Sequence, residues 1–195
     1  MKNSSIFLFV FICSTVSVFC QNQCNDFRNF CWGTSFSKVK VTEKATFLNN
    51  NLNDALEYRE RLGGSDCSLI YTFNDNDKLI SGSYIFTKKY SSSQLYLQDY
   101  YKFKSLLILK YGKEIEEKED WIDKNNSSDT NKENYGEFIA QGKLNITTYW
   151  TTPTTNIKIT LITKDKKPSI QIHYTTKNLS ELENKIELEK IISKL

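Results

Sequence analysis

From residue 68 to 86 the run SLIYTFNDNDKLISGSYIF alternates apolar and polar side chains on either side of a polar break. Leu69, Tyr71 and Phe73 share one parity, NDND supplies turn chemistry, and a second run follows through Ile80, Tyr84 and Phe86. Alternation of period two around Asn and Asp predicts a β-hairpin. The next segment, SQLYLQDYYKFKSLLILKYG (93–112), changes period. Leu97, Tyr100, Phe103 or Lys104, Leu107 and Tyr111 recur at helical steps, and Gly112 suits the left-handed position that ends a helix. The ALEYRERL stretch (55–62) before Gly63-Gly64 fits either a strand or a helical turn.

The last third returns to period two. NITTYWTT (145–152), NIKITLITK (156–164) and PSIQIHYTT (168–176) are rich in Ile, Thr and Tyr. Ile157, Ile159 and Leu161 alternate with polar residues, as do Ile170, Ile172 and Tyr174, and KDKKP joins the last two strands as a turn. Ser180-Glu181-Leu182-Glu183 reads as a capping box opening a helix to Leu195, with Leu182, Ile186 and Ile192 inward. Residues 123–135, DKNNSSDTNKENY, carry no apolar pattern and read as an exposed, mobile loop. The order predicts one α+β domain over residues 21–195, a two-layer sandwich with an antiparallel sheet and helices on one face. It suggests two α-βββ units plus a C-terminal helix, with halves at 27–90 and 93–195.

The first twenty residues change the setting of that domain. Lys2, then SIFLFVFICSTVSVF, then a polar QNQCND make a secretory signal peptide over residues 1–20, cut after Cys20 to leave Gln21 first. The chain is thus expected to be exported, periplasmic or secreted. The rival is lipoprotein processing, with Cys20 lipidated and the protein anchored to the envelope, although Phe19 sits where a small residue is wanted. No other run is long and apolar enough to span a bilayer.

Formal charge falls from +3 to +2 without residues 1–20, which hold Lys2 and no acid. There is no basic stripe, which argues against nucleic acid as a partner. Small clusters at Lys88-Lys89 and at Lys164, Lys166 and Lys167 are offset by EIEEKED (114–120), itself read as a solvated charge run. Cys24, Cys31 and Cys67 outlast cleavage, and in an oxidising compartment two of the three should pair. All three pairings are open. Cys31–Cys67 is favoured, because Cys24 lies in a lead expected to fray. The spacing is not that of a metal site.

Catalytic chemistry is thinly supplied. His173 is the only histidine and falls on the solvent-facing parity of its strand, with no nucleophile elbow or cysteine box elsewhere. Asp75 and Asp77 lack the spaced ligands of a calcium loop and read as turn residues. No phosphate-cradling glycine loop exists, and no cofactor is expected. Tyr96, Tyr100, Tyr101 and Phe103 read as a core stripe. Trp121, Tyr149 and Trp150, beside TTYWTTPTTN, mark a candidate interaction edge. The leading expectation is an exported, non-enzymatic binding or scaffold module that meets an envelope protein or ligand, touching a membrane only if lipidated at Cys20. Two other classes remain: a carboxylate-dependent hydrolase, which needs two acids converging in a concave pocket, and a secreted inhibitor or effector with a disulfide-held loop.

Scattered residues carry a resemblance across 27–195: Phe27-Arg28, Trp32-Gly33, Ser35, Val39, Leu79, Tyr84, Tyr111-Gly112, Trp121, Trp150, Ile157, Ile159 and Tyr174. With its FR…WGxSxxxV opening, the chain resembles a group of uncharacterised exported bacterial proteins. More remotely it is similar to small envelope lipoproteins of the β-barrel assembly machinery, which implies a scaffold or binding role and no activity. The likeness also bears on FRNFCWGTSFSKVKVTE (27–43), where KVKVT read alone alternates like a strand. It implies instead an N-cap at Thr34 or Ser35, a short helix over Phe36–Glu43 with Val39 inward, Trp32 as a buried anchor and Cys31 as a disulfide partner.

Overall fold

The computed structural model describes residues 24–48, 54–122, 131–164, 167–178 and the single positions 184, 188, 191 and 192. The polar break between the first two clear strands is a side-chain-closed turn. Asn74 Oδ1 accepts from the backbone N–H groups of Asn76 (3.1 Å) and Lys78 (3.0 Å), and Asp77 takes the left-handed conformation at φ 57°. That turn fixes the register of β3 (Ser65–Phe73) on β4 (Leu79–Phe86).

The remaining elements are α1 (Phe36–Thr42), β1 (Thr46–Leu48), β2 (Ala55–Leu62), α2 (Ser93–Tyr111), β5 (Glu116–Trp121), α3 (Tyr135–Ala140), β6 (Leu144–Thr151), β7 (Thr155–Lys164) and β8 (Lys167–Thr176). All eight strands join one antiparallel sheet in the order β1-β2-β3-β4-β8-β7-β6-β5. Each half is therefore a helix followed by a four-strand meander, and the halves meet where β4 pairs with β8. This corrects the three-strand unit: α-ββββ occurs twice, with α3 inserted in the second copy. The unforeseen strand in each half is the edge strand. β1 has three residues, too few for alternation to show, and β5 is the charge run EEKEDW, an edge strand rather than a featureless solvated stretch. Charged side chains along an edge oppose pairing with other chains. Segment 55–62 is a strand.

Helices α1, α2 and α3 lie on one face of the sheet. Ser35 caps α1, accepting from Lys38 N–H, and Val39 is fully buried. From α2, Leu97, Tyr100, Phe103 and Leu107 enter the core, where Phe103 stacks on Phe86 of β4 and Tyr100 Oη bonds Thr148 Oγ1 of β6 at 2.7 Å. From α3, Ile139 is buried beneath β7, its carbonyl accepting from Thr163 Oγ1, and Phe138 packs on Trp121. Residues 131–135 are thus ordered, with Tyr135 buried and its hydroxyl donating to Glu119 at 2.8 Å, against the mobile loop expected there; 123–130 lie outside the described residues. The signal peptide, Cys20, the Ser180 cap, Leu182 and Ile186 also lie outside them. Ile192 is described and helical, but 59% exposed, not inward. Among the described residues no helix is long and apolar enough to cross a membrane.

The lead segment is held rather than frayed. Cys24 and Cys31 form a disulfide with their Cα atoms 5.3 Å apart, and Cys67 is a free, buried thiol. This replaces the Cys31–Cys67 pairing. Inside the closed loop Phe27 and Phe30 pair their backbones in a tight turn and both enter the core. Trp32, half-buried rather than sealed, donates its indole N–H to Thr155 Oγ1 at 2.9 Å and ties the lead to β7. Burial, with Glu60 adding to it, pushes the Cys67 thiol up to about 11, leaving almost none of it as the reactive thiolate at neutral pH. Native protein treated with iodoacetamide at about pH 8 should leave Cys67 unlabelled until denaturant is added. Non-reducing peptide maps should show the Cys24–Cys31 link. Rapid labelling of Cys67 in folded protein would contradict this packing.

Candidate functional site

With α1, α2 and α3 on one side, the opposite face of the sheet carries side chains of the other parity. Register aligns these into rows that cross all eight strands. One row runs Leu48, Glu57, Ile70, Ser83, His173, Lys158, Tyr149, Glu116 from β1 to β5 in sheet order. The adjacent row runs Thr46, Arg59, Ser68, Ile85, Gln171, Thr160, Thr147, Lys118. Serine, threonine and amide side chains thus dominate the middle of the face. Gln171, Thr147 and Thr160 are buried there, and among the described residues Thr160 Oγ1 has no hydrogen-bond partner.

A cavity of about 410 Å³ opens on this face over the C-terminal half. Tyr149, Lys158 and His173 line it from three adjacent strands, with Asn156, Thr175 and Ile115 around them. Tyr149 is half-buried, with the Lys118 ammonium 5.8 Å from its ring centroid. His173 is half-buried, and its Nε2 lies 2.9 Å from Gln171 Oε1; Gln171 Nε2 in turn donates to Ser169 Oγ at 3.2 Å. With the Gln171 amide in this orientation, Nε2 is the protonated nitrogen of a neutral imidazole and Nδ1 is left as an acceptor.

Burial lowers the His173 pKa to about 4, and the Lys158 charge on the next strand pushes the same way. As the only histidine in the chain it gives a single imidazole signal by NMR. Its titration should be centred near 4 rather than at the ordinary 6.5. Because the folded value is depressed, its contribution to stability is complete above about 6.5 and is lost as pH falls from there through about 4. Replacing Lys158 with Met should move the midpoint only part of the way back, since burial is the larger cause. A midpoint near 6.5 in folded protein would show the ring to be freely solvated.

The expected interaction edge does not form as a unit. Trp150 and Tyr149 are neighbours on one strand and point to opposite faces. Trp150 is 2% exposed, its indole N–H donating to the Gly112 carbonyl at 3.0 Å. Trp121 faces α3, its ring centroid 5.6 Å from Tyr135 and 5.4 Å from Phe138. Only Tyr149 lies on the open face. Trp150 borders the cavity from the other parity of β6.

A second polar cluster lies on the helix face beneath the lead. Arg28 reaches Glu43 at 3.2 Å and Glu60 at 2.8 Å, and the Tyr71 hydroxyl donates to Glu43. Burial alone would raise the Glu43 carboxyl. The Tyr71 hydroxyl, the backbone N–H groups of Ala45 and Lys44, and Arg28 outweigh it and hold the carboxyl below its ordinary range. Both carboxylates that converge here are committed to one guanidinium, so the cluster works as a clasp for the lead segment. Among the described residues no carboxylate lines the open-face cavity.

The sequence matches no family model, and no curated protein or solved structure matches it. The case for a site therefore stands on this geometry.

Proposed function

We propose that the chain is an exported, non-catalytic binding module that takes its ligand on the open face of the sheet, against Tyr149, Lys158 and His173. The observation that carries this reading is convergence: an aromatic ring, a cation and an imidazole come from three adjacent strands to one concavity. Such a cavity, within the usual size of small-molecule sites and with a few convergent polar groups, is where a ligand is expected to bind. Paired strands of one sheet hold the three groups in register. Among the described residues no carboxylate lines the cavity beside the neutral His173 to orient it as a general base, which favours binding over turnover.

The test is a thermal-shift screen of small molecules against the mature chain, repeated with Tyr149→Ala and His173→Ala. Compounds that raise the wild-type melting temperature but not that of the variants support the reading. Hits that stabilise all three proteins equally would place binding elsewhere and overturn it. Export is checked separately: the intact mass of the protein from its own cells should begin at Gln21, and a lipid-modified Cys20 would move it to the envelope-anchored class.

A further inference from the structure

The two α-ββββ halves contribute matching strands to the central row, and their residues differ there. His173, Lys158, Tyr149 and Glu116 in the second half stand where the first half has Ser83, Ile70, Glu57 and Leu48. The first half offers no cation in this row. In the second, Lys158 is exposed at the cavity wall and forms no ion pair among the described residues. Glu116, the row's acidic member on this side, is two strands from Lys158, about 10 Å at ordinary strand spacing. That is a full Debye length at physiological salt, and Glu116 already has Lys118 at 3.5 Å.

Given the cavity reading above, on which this step rests, we infer that the ligand is a small organic anion: its charged group lies between Lys158 and His173, and its apolar or aromatic body lies against Tyr149 and Ile115. Asn156 and Thr175 supply neutral donors beside the cation. Ile115 is 65% exposed and Tyr149 half-buried, so both keep apolar surface for a ligand to cover.

Binding should be linked to protons. Among the described residues the groups facing His173 are Lys158 on β7, Ser83 on β4, and Gln171 and Thr175 on its own strand, and the one charge among these is positive. An anion settling there offsets that charge and favours a proton on Nδ1, which then becomes a donor to it. Affinity for an anion should accordingly rise several-fold as pH falls from about 7 to about 5.

The experiment follows the His173 imidazole resonances of the full mature chain during titration with benzoate, phenyl phosphate and uncharged benzyl alcohol. Benzoate or phenyl phosphate should give a saturable shift and raise the His173 midpoint, binding at least tenfold tighter than benzyl alcohol; which anion is tighter separates carboxylate from phosphate ligands. Lys158→Met should remove that tenfold advantage and Lys158→Arg should keep it; the residue is exposed, so neither change should disturb folding. If benzyl alcohol binds as well as the anions, the anion assignment is overturned and the cavity reading stands. If none of the three gives a saturable shift, both fall.

Discussion

Replacing Gly82 with Ala should destabilise the fold by about 3 kcal/mol, at the upper end for one added methyl group in a core. The expectation follows from how the lead segment is seated. A Cβ on Gly82 would fall 2.0 to 2.6 Å from three atoms of the Phe27 ring. That ring cannot step aside. Tyr71 and Tyr174 are the register partners of Gly82 on its two flanking strands, and Tyr84 lies two residues along β4. Their ring centroids stand 5.3, 5.0 and 5.4 Å from Phe27 respectively. The glycine is thus the floor of a three-tyrosine box, and Phe27 takes the place of its missing side chain. Phe27→Ala should cost about 3–5 kcal/mol by emptying the box. In the double variant the new methyl group enters vacated space, so the combined loss should be no greater than that of Phe27→Ala alone. Urea unfolding of the four proteins measures this as a coupling energy of about 3 kcal/mol. Additive losses, or a Gly82→Ala midpoint matching wild type, would show that the lead does not pack as described.

The core was legible wherever one parity of a strand, or one stripe of a helix, was apolar. Tyr71 and Phe73, Ile157 and Ile159, and Ile170 and Ile172 all announce their inward faces, and all are buried. On α2 the same holds for Leu97, Tyr100 and Phe103. β5 was hidden because its inward residues are charged. Glu117 is half-buried against Lys104 of α2 and Glu119 half-buried against Tyr135, so partners from other elements replace the apolar signal. The disulfide turned on whether the lead would fray. Phe27, Phe30 and Trp32 within six residues were a sign that it would pack, whereas spacing alone left the pairing open.

The candidate site was less legible for a different reason. Tyr149 and Trp150 could never have shared one edge, since neighbours on a strand point to opposite faces, and that much was available from sequence. The alignment of Tyr149, Lys158 and His173 was not. It depends on the register of β6 on β7 and of β7 on β8, which is set by the buried parity Trp150, Ile157 and Tyr174 on the far side of the sheet. A single-residue slip would bury the polar set and expose the core. The same packing that stabilises the fold therefore assembles the site.

Arg28→Ala should be the other large loss, about 3–5 kcal/mol near neutral pH, because it strands a buried carboxylate. The Glu43 side chain is only 3% exposed, whereas Arg28 and Glu60 are each 24% exposed, so the cost falls mainly on Glu43. Arg28 sits at φ 55°, a conformation that costs an alanine about as much as an arginine, so the backbone contributes little to the difference. The sign of the pH dependence follows from Glu43. Its folded pKa is held below the ordinary 4.5, so its stabilising contribution is complete above that value and is lost as pH falls through the lower folded one. In the variant the Tyr71 hydroxyl and the Ala45 and Lys44 N–H groups still oppose burial but Arg28 no longer adds to them, so the carboxyl should take up a proton at a higher pH than in wild type. The gap between the two proteins should therefore be widest near neutral pH and close as both become protonated in acid. Arg28→Lys, which keeps the charge but not the fork that spans Glu43 and Glu60, should recover part of the loss. Urea unfolding at about pH 7 and about pH 3.5 measures the effect. A penalty for Arg28→Ala that stayed constant over that range would mean the guanidinium acts through packing alone, and the clasp would then hold the lead by shape rather than by charge.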